Sequence, residues 1–144
     1  MDNSLNAYIK EEFNTGDKDL RTYSGLELAY IGDSVFDIIV RTILVNKKAT
    51  AVNKLHTTAS SIVNARCQAA MMQAILDMLS DEEMSVYRRG RNSKPHTKAK
   101  NASIGEYMEA TGFEALLGFL YLKDDMSRIF ELVKAGFEAV EIEL

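Results

Sequence analysis

Two carboxylates stand where hydrocarbon packing has no use for them. Asp33 falls inside Ala29-Tyr-Ile-Gly-Asp-Ser-Val-Phe-Asp37, and Glu114 inside Gly112-Phe-Glu-Ala-Leu-Leu-Gly-Phe-Leu-Tyr-Leu122. An ionised carboxylate among apolar side chains is expensive unless something compensates its charge. If the two segments are helices that cross, oxygens from both acids can bind one magnesium or manganese ion, hard cations that favour oxygen ligands and retain waters. Asp37 follows Asp33 by four residues and shares its helix face. The plainer alternative makes Asp33 and Asp37 surface or helix-end polarity, and Glu114 the partner of Thr111 in a helix cap.

Gly32 and Gly118 adjoin these acids. A glycine inside a helix costs about 1 kcal/mol relative to alanine, a loss that close approach of another backbone or a catalytic group would explain. Tyr30, Phe113, Phe119 and Tyr121 read as core or subunit-interface aromatics. His56 reads as helix-surface or capping polarity.

Between the acidic segments runs Arg88-Arg-Gly-Arg-Asn-Ser-Lys-Pro-His-Thr-Lys-Ala-Lys100, with no Asp or Glu from Met84 through Gly105. The chain's formal charge is -4, so the positive potential is local rather than global. Local potential decides whether a polyanion docks. Arg88, Arg89, Arg91, Lys94, Lys98 and Lys100 can reach phosphates, while Asn92, Ser93 and Thr97 offer neutral hydrogen bonds. Such contacts suit A-form RNA, which proteins recognise by backbone shape and 2′-hydroxyl groups. His96 belongs to the same stretch. A solubilising basic loop is the alternative.

The elements that must position these groups are helices. With 144 residues, one proline and 47% hydrophobic residues, the composition predicts one compact all-α domain over residues 1–144. Leu5 and its neighbours suggest a short helix over 4–12. Ser24 with Glu27 forms a capping-box signature, and apolar spacing from Leu26 to Ile43 predicts a long helix over 25–45. A short helical turn is expected over 51–56 and a second long helix over 58–79. Ser80 with Glu83 opens a helix over 81–89, and a solvent-facing basic loop follows at about 88–102. Ser103 with Glu106 starts a helix over 104–122 that Thr111-Gly112 could break, and a last helix covers 125–141. Cys67 is the lone cysteine, so no intramolecular disulfide forms. The amino terminus lacks the pattern of a signal peptide and no apolar run is long enough for a membrane span, so a cytoplasmic protein without membrane contact is expected.

Read in order, the two acidic segments resemble the ribonuclease III family. Tyr30-Ile-Gly-Asp-Ser-Val35 is similar to its signature, and Phe113-Glu-Ala-Leu-Leu-Gly-Phe-Leu-Tyr-Leu122 to its second catalytic helix. Chain length, the Arg88-Arg-Gly-Arg-Asn92 run and the lack of a following RNA-binding domain point to the Mini-ribonuclease III branch. The resemblance implies a ribonuclease III-like helical endonuclease domain that cleaves double-stranded RNA. It implies magnesium, with manganese as the alternative, at Asp33 and Glu114, and products with 5′-phosphate and 3′-hydroxyl ends. It also implies a homodimer with Tyr30 at the contact and the paired ends of precursor 23S ribosomal RNA as substrate, with a ribosomal protein as a further partner. Two departures stand out. Ala29 and Thr111 occupy positions where the family carries acids, so Glu27, Asp37 or Glu109 become candidate replacements. They also motivate a second expectation, a noncatalytic duplex-RNA-binding or ribosome-assembly protein.

Overall fold

A computed structural model describes residues 4–47, 50–93 and 102–144. Its α-helices are α1 (Leu5–Phe13), α2 (Gly25–Lys47), α3 (Val52–Ile62), α4 (Ala65–Ile75), α5 (Asp81–Arg91), α6 (Ile104–Leu122) and α7 (Met126–Ala139). Short 3-10 turns span Leu20–Thr22 and Leu76–Met78, and no strand occurs among the described residues. The fold is all-α, as the composition predicts.

Capping sets several of these boundaries. Ser80 and Glu83 at the start of α5, and Ser103 and Glu106 at the start of α6, form reciprocal capping boxes. Ser24 does the same for α2: its hydroxyl accepts from the Glu27 amide at 3.0 Å, and its own amide donates to the Glu27 carboxylate at 2.9 Å. Each box satisfies two backbone donors that a helix start leaves unpaired.

Three expectations change. The turn expected over 51–56 and the start of the helix expected over 58–79 are one helix, α3, while the rest of the latter is α4 and a 3-10 turn, because Asn64 leaves helical geometry and its side chain accepts from the Cys67 amide, opening α4 afresh. The break contemplated at Thr111-Gly112 does not occur. The Thr111 hydroxyl donates to the Tyr107 carbonyl one turn back, so it caps nothing, and α6 continues. The basic loop begins later than residue 88, since Arg88, Arg89 and Arg91 form the last turn of α5. Lys94, Lys98 and Lys100, with His96 and Thr97, lie outside the described residues.

α6 is the axis of the molecule. It packs against α2, α4, α5 and α7, and every residue from Ala110 to Leu120 is buried except the half-buried Glu114. A helix apolar on all sides needs neighbours on all sides. Phe36 of α2 meets Phe113 of α6 edge-on, with ring centroids 5.3 Å apart. On the far side Arg128 of α7 binds the buried Glu83 of α5 through two 2.8 Å bonds and donates to the Met78 carbonyl at 2.6 Å.

α2 and α6 touch backbone to backbone. A Cβ built on Gly32 would overlap the Glu114 carbonyl and stand 2.8 Å from the Gly118 amide nitrogen, while one on Gly118 would overlap the Leu28 carbonyl. Both obstacles are main chain, which cannot swing aside. Gly118→Ala therefore loses stability despite alanine's better helix propensity: overpacking of this kind costs about 1–3 kcal/mol or more. Urea denaturation reads this as a lower midpoint at unchanged slope; a midpoint equal to or above the native protein's would contradict the crossing.

Candidate active site

The crossing carries the two acids expected to act together. Gly32 lies against the Glu114 backbone, so the next residue on α2, Asp33, and the Glu114 side chain share one small region. Asp33 is exposed and Glu114 is half-buried. Burial, a hydrogen bond with Asp33 and the charge of Asp33 push the Glu114 carboxyl up to about 9. The region is thus a paired-carboxylate site in which one proton or one cation must relieve repulsion and desolvation. Cationic side chains of α2 and α5 are committed to other acids. Arg41 pairs with Asp37 at 3.1 Å, and Arg91 with Glu109 at 2.7 Å.

The candidate replacement acids are also occupied. The Glu27 carboxylate closes the capping box of α2 and lies 3.7 Å from the Lys18 ammonium. Glu109 accepts the Tyr87 hydroxyl at 2.8 and 2.6 Å as well as Arg91, and this burial and carboxylate push the Tyr87 phenol up to about 12. Among the described residues no group of three or more His, Cys, Asp or Glu side chains is arranged to hold a metal. Ala29 and Thr111 are both buried, and Thr111 spends its hydroxyl on Tyr107. The site therefore presents two carboxylates. That donor set fits magnesium, which is commonly held by one or two carboxylates with waters and substrate phosphates filling its octahedron.

The basic residues divide by position. Arg88 and Asn92 are exposed beside the end of α5. Arg89 turns inward, its Nη1 donating to the carbonyls of Arg21 at 3.3 Å and Tyr23 at 3.1 Å, so it joins the α5 end to the segment before α2. Arg91 holds Glu109. Tyr30 is 84% exposed, which places its ring on the surface rather than in the core.

One buried polar residue was not singled out by sequence reading. Gln68 of α4 is 4% exposed and its amide lies close enough to Glu114 to favour the charged carboxylate. Its signal was a polar side chain on the apolar stripe of Ala65, Ala69, Met72 and Ile75.

Comparison with known proteins gives a consistent result. A model of the ribonuclease III domain matches residues 26–125. The chain is 44% identical to the Mini-ribonuclease 3 of Clostridium tetani over 128 residues, covering 88% of this chain and 83% of that protein. It is 46% identical to the Mini-ribonuclease 3 of Enterococcus faecalis over 118 residues, covering 81% and 89% of the two chains. A crystal structure of a Fusobacterium nucleatum protein superposes with a TM-score of 0.76 at 29% identity, covering 85% of this chain and 98% of that one.

The raised Glu114 carboxyl has a measurable consequence without metal. In the unfolded chain the group loses its proton near 4.5, in the folded chain near 9, so between these values the folded state holds the extra proton. Stability is lost as pH rises through that window. Glu114→Gln removes the effect. At pH 8 its thermal midpoint lies above that of the metal-free native protein, by about 2–4 °C for each kcal/mol relieved, and the gap closes toward pH 5. A gap independent of pH would contradict the paired-carboxylate geometry.

Proposed function

Because the chain belongs to the ribonuclease III family, we propose that it is an endoribonuclease that cleaves double-stranded RNA with a divalent cation, magnesium or manganese, at Asp33 and Glu114. The supporting observation is the half-buried Glu114 held beside Asp33 at the glycine crossing, with no cationic side chain paired to it among the described residues. When bound, such a cation supplies an acidified water and positive charge to offset that building on the phosphate.

The protein's own groups then have distinct tasks. Glu114, anchored on the central helix, fixes the inner end of the site, and the exposed Asp33 reaches toward the arriving duplex. Arg88 and Asn92, with Lys94, Lys98 and Lys100, hold the RNA backbone, while Arg89 and Arg91 brace the helix end that presents them. Hydrolysis leaves 5′-phosphate and 3′-hydroxyl ends. The chain acts as one domain and pairs with a second copy through the open face of α2, where Tyr30, Ile38 and Val45 are 84%, 61% and 67% exposed. These positions fall along one side of the helix, beside Asp33. A two-fold pair would give each RNA strand its own site. On the Mini-ribonuclease III resemblance, the substrate is the paired-end region of precursor 23S ribosomal RNA in the cytoplasm, with a ribosomal protein as a remodelling partner. No helix among the described residues is long and apolar enough to cross a membrane.

The test is incubation with structured precursor ribosomal RNA, with and without magnesium, and mapping of both new ends. The native protein cuts, and folded Asp33→Asn and Glu114→Gln each lose roughly 100-fold or more in rate, the scale set by removing one stabiliser of transition-state charge. Undiminished cleavage by both variants would exclude the pair. Binding without cleavage, with the ribosomal protein present, would favour the noncatalytic alternative. Arg88→Ala weakens duplex binding and lowers the salt-dependence slope by about 1, with no change in thermal midpoint; an unchanged slope would remove Arg88 from the RNA face.

A further inference from the structure

Gln68 is an unexplained expense in the core. Its side chain is buried on α4 beside Ala69, Met71 and Met72, and its Nε2 has no hydrogen-bond partner among the described residues. Burying an unpaired amide donor is destabilising, and methionine would fill the same stripe without that loss. The expense is located at the site: α4 packs on α6, and the buried Gln68 amide lies close to the Glu114 carboxyl.

We propose that Gln68 is a positioning residue whose Nε2–H donates to one oxygen of the Glu114 carboxylate, leaving the other to face the divalent cation shared with Asp33. This rests on the reading of Asp33 and Glu114 as that cation's ligands. An amide suits the task because it donates without carrying charge. Lysine or arginine at the same place would neutralise Glu114 permanently and repel the ion. A site with only two carboxylates also depends more heavily on their orientation than one ringed by four. Partners of metal ligands at this remove usually contribute 10–100-fold to metal affinity.

Manganese binding by calorimetry to the RNA-free protein tests this, with native, Gln68→Met and Glu114→Gln proteins compared. The expected result is binding by the native chain, none resolved for Glu114→Gln, and affinity about 10–100-fold weaker for Gln68→Met. The thermal midpoint of metal-free Gln68→Met is unchanged or higher, since an unpaired amide is gone. The manganese concentration for half-maximal cleavage rises by the same factor while KM for duplex RNA at saturating manganese holds. Equal manganese affinity for native and Gln68→Met proteins overturns the role of Gln68 alone. No binding by the native chain overturns it together with the two-ligand reading. If Gln68→Met does not fold, the native protein still decides the matter: the Gln68 side-chain amide resonance shifts on magnesium titration, and one that stays fixed while Glu114 responds overturns the proposal.

Discussion

The structure depends on two helix backbones touching at Gly32 and Gly118. Helices with ordinary side chains between them pack with axes 8–10 Å apart. Here a Cβ at either glycine would strike main chain of the partner helix. The two acids can therefore meet across an otherwise apolar interface without long side chains bridging it. The same device recurs where α5 meets α6. A Cβ on Gly90 would stand 2.5 Å from that of Ala115, and one on Gly112 would stand 2.7 Å from the Tyr87 ring. α6 is thus gripped closely on two sides, and Glu114 is its one residue between Ala110 and Leu120 that is not fully buried.

The charged residues serve two purposes, and the geometry separates them. Arg128 with Glu83, and Arg91 with Glu109 and Tyr87, are compensated internally and join helices. Asp33 and Glu114 instead face each other, with no cationic side chain paired to Glu114 among the described residues. A carboxyl driven up to about 9 is an electrostatic cost that the fold alone does not relieve. Perturbed acids of this kind cluster at functional sites because an incoming ligand completes the compensation. In the role proposed for it, Gln68 contributes the neutral counterpart, a buried donor without charge beside the same carboxylate.

Much of this was legible in the sequence where the rules are local. Capping boxes at Ser24, Ser80 and Ser103 marked helix starts because each couples residues only three apart. Gly32 and Gly118 signalled close approach because a helix interior otherwise disfavours glycine. The break at Asn64 was hidden, since apolar periodicity stays nearly in phase from Ile62 through Ala69. The fates of Arg89 and Arg91 were also hidden. Counting charge along Arg88 to Lys100 treats all as surface cations, whereas the partner of Arg91 lies 18 residues away and the carbonyls holding Arg89 lie more than 60 away. Gln68 left only a faint trace, a polar residue on an apolar stripe, because its meaning comes from what α4 brings it against.

The central claim is that the glycine crossing makes Asp33 and Glu114 the two ligands of one divalent cation. Crystals soaked in manganese, with an anomalous difference map collected near the manganese absorption edge, test it most directly. The account predicts one strong peak with a carboxylate oxygen from each residue about 2.0–2.2 Å away, close to the separations of small octahedral dications. A peak coordinated by other residues, or density absent from the crossing at millimolar manganese, would contradict it.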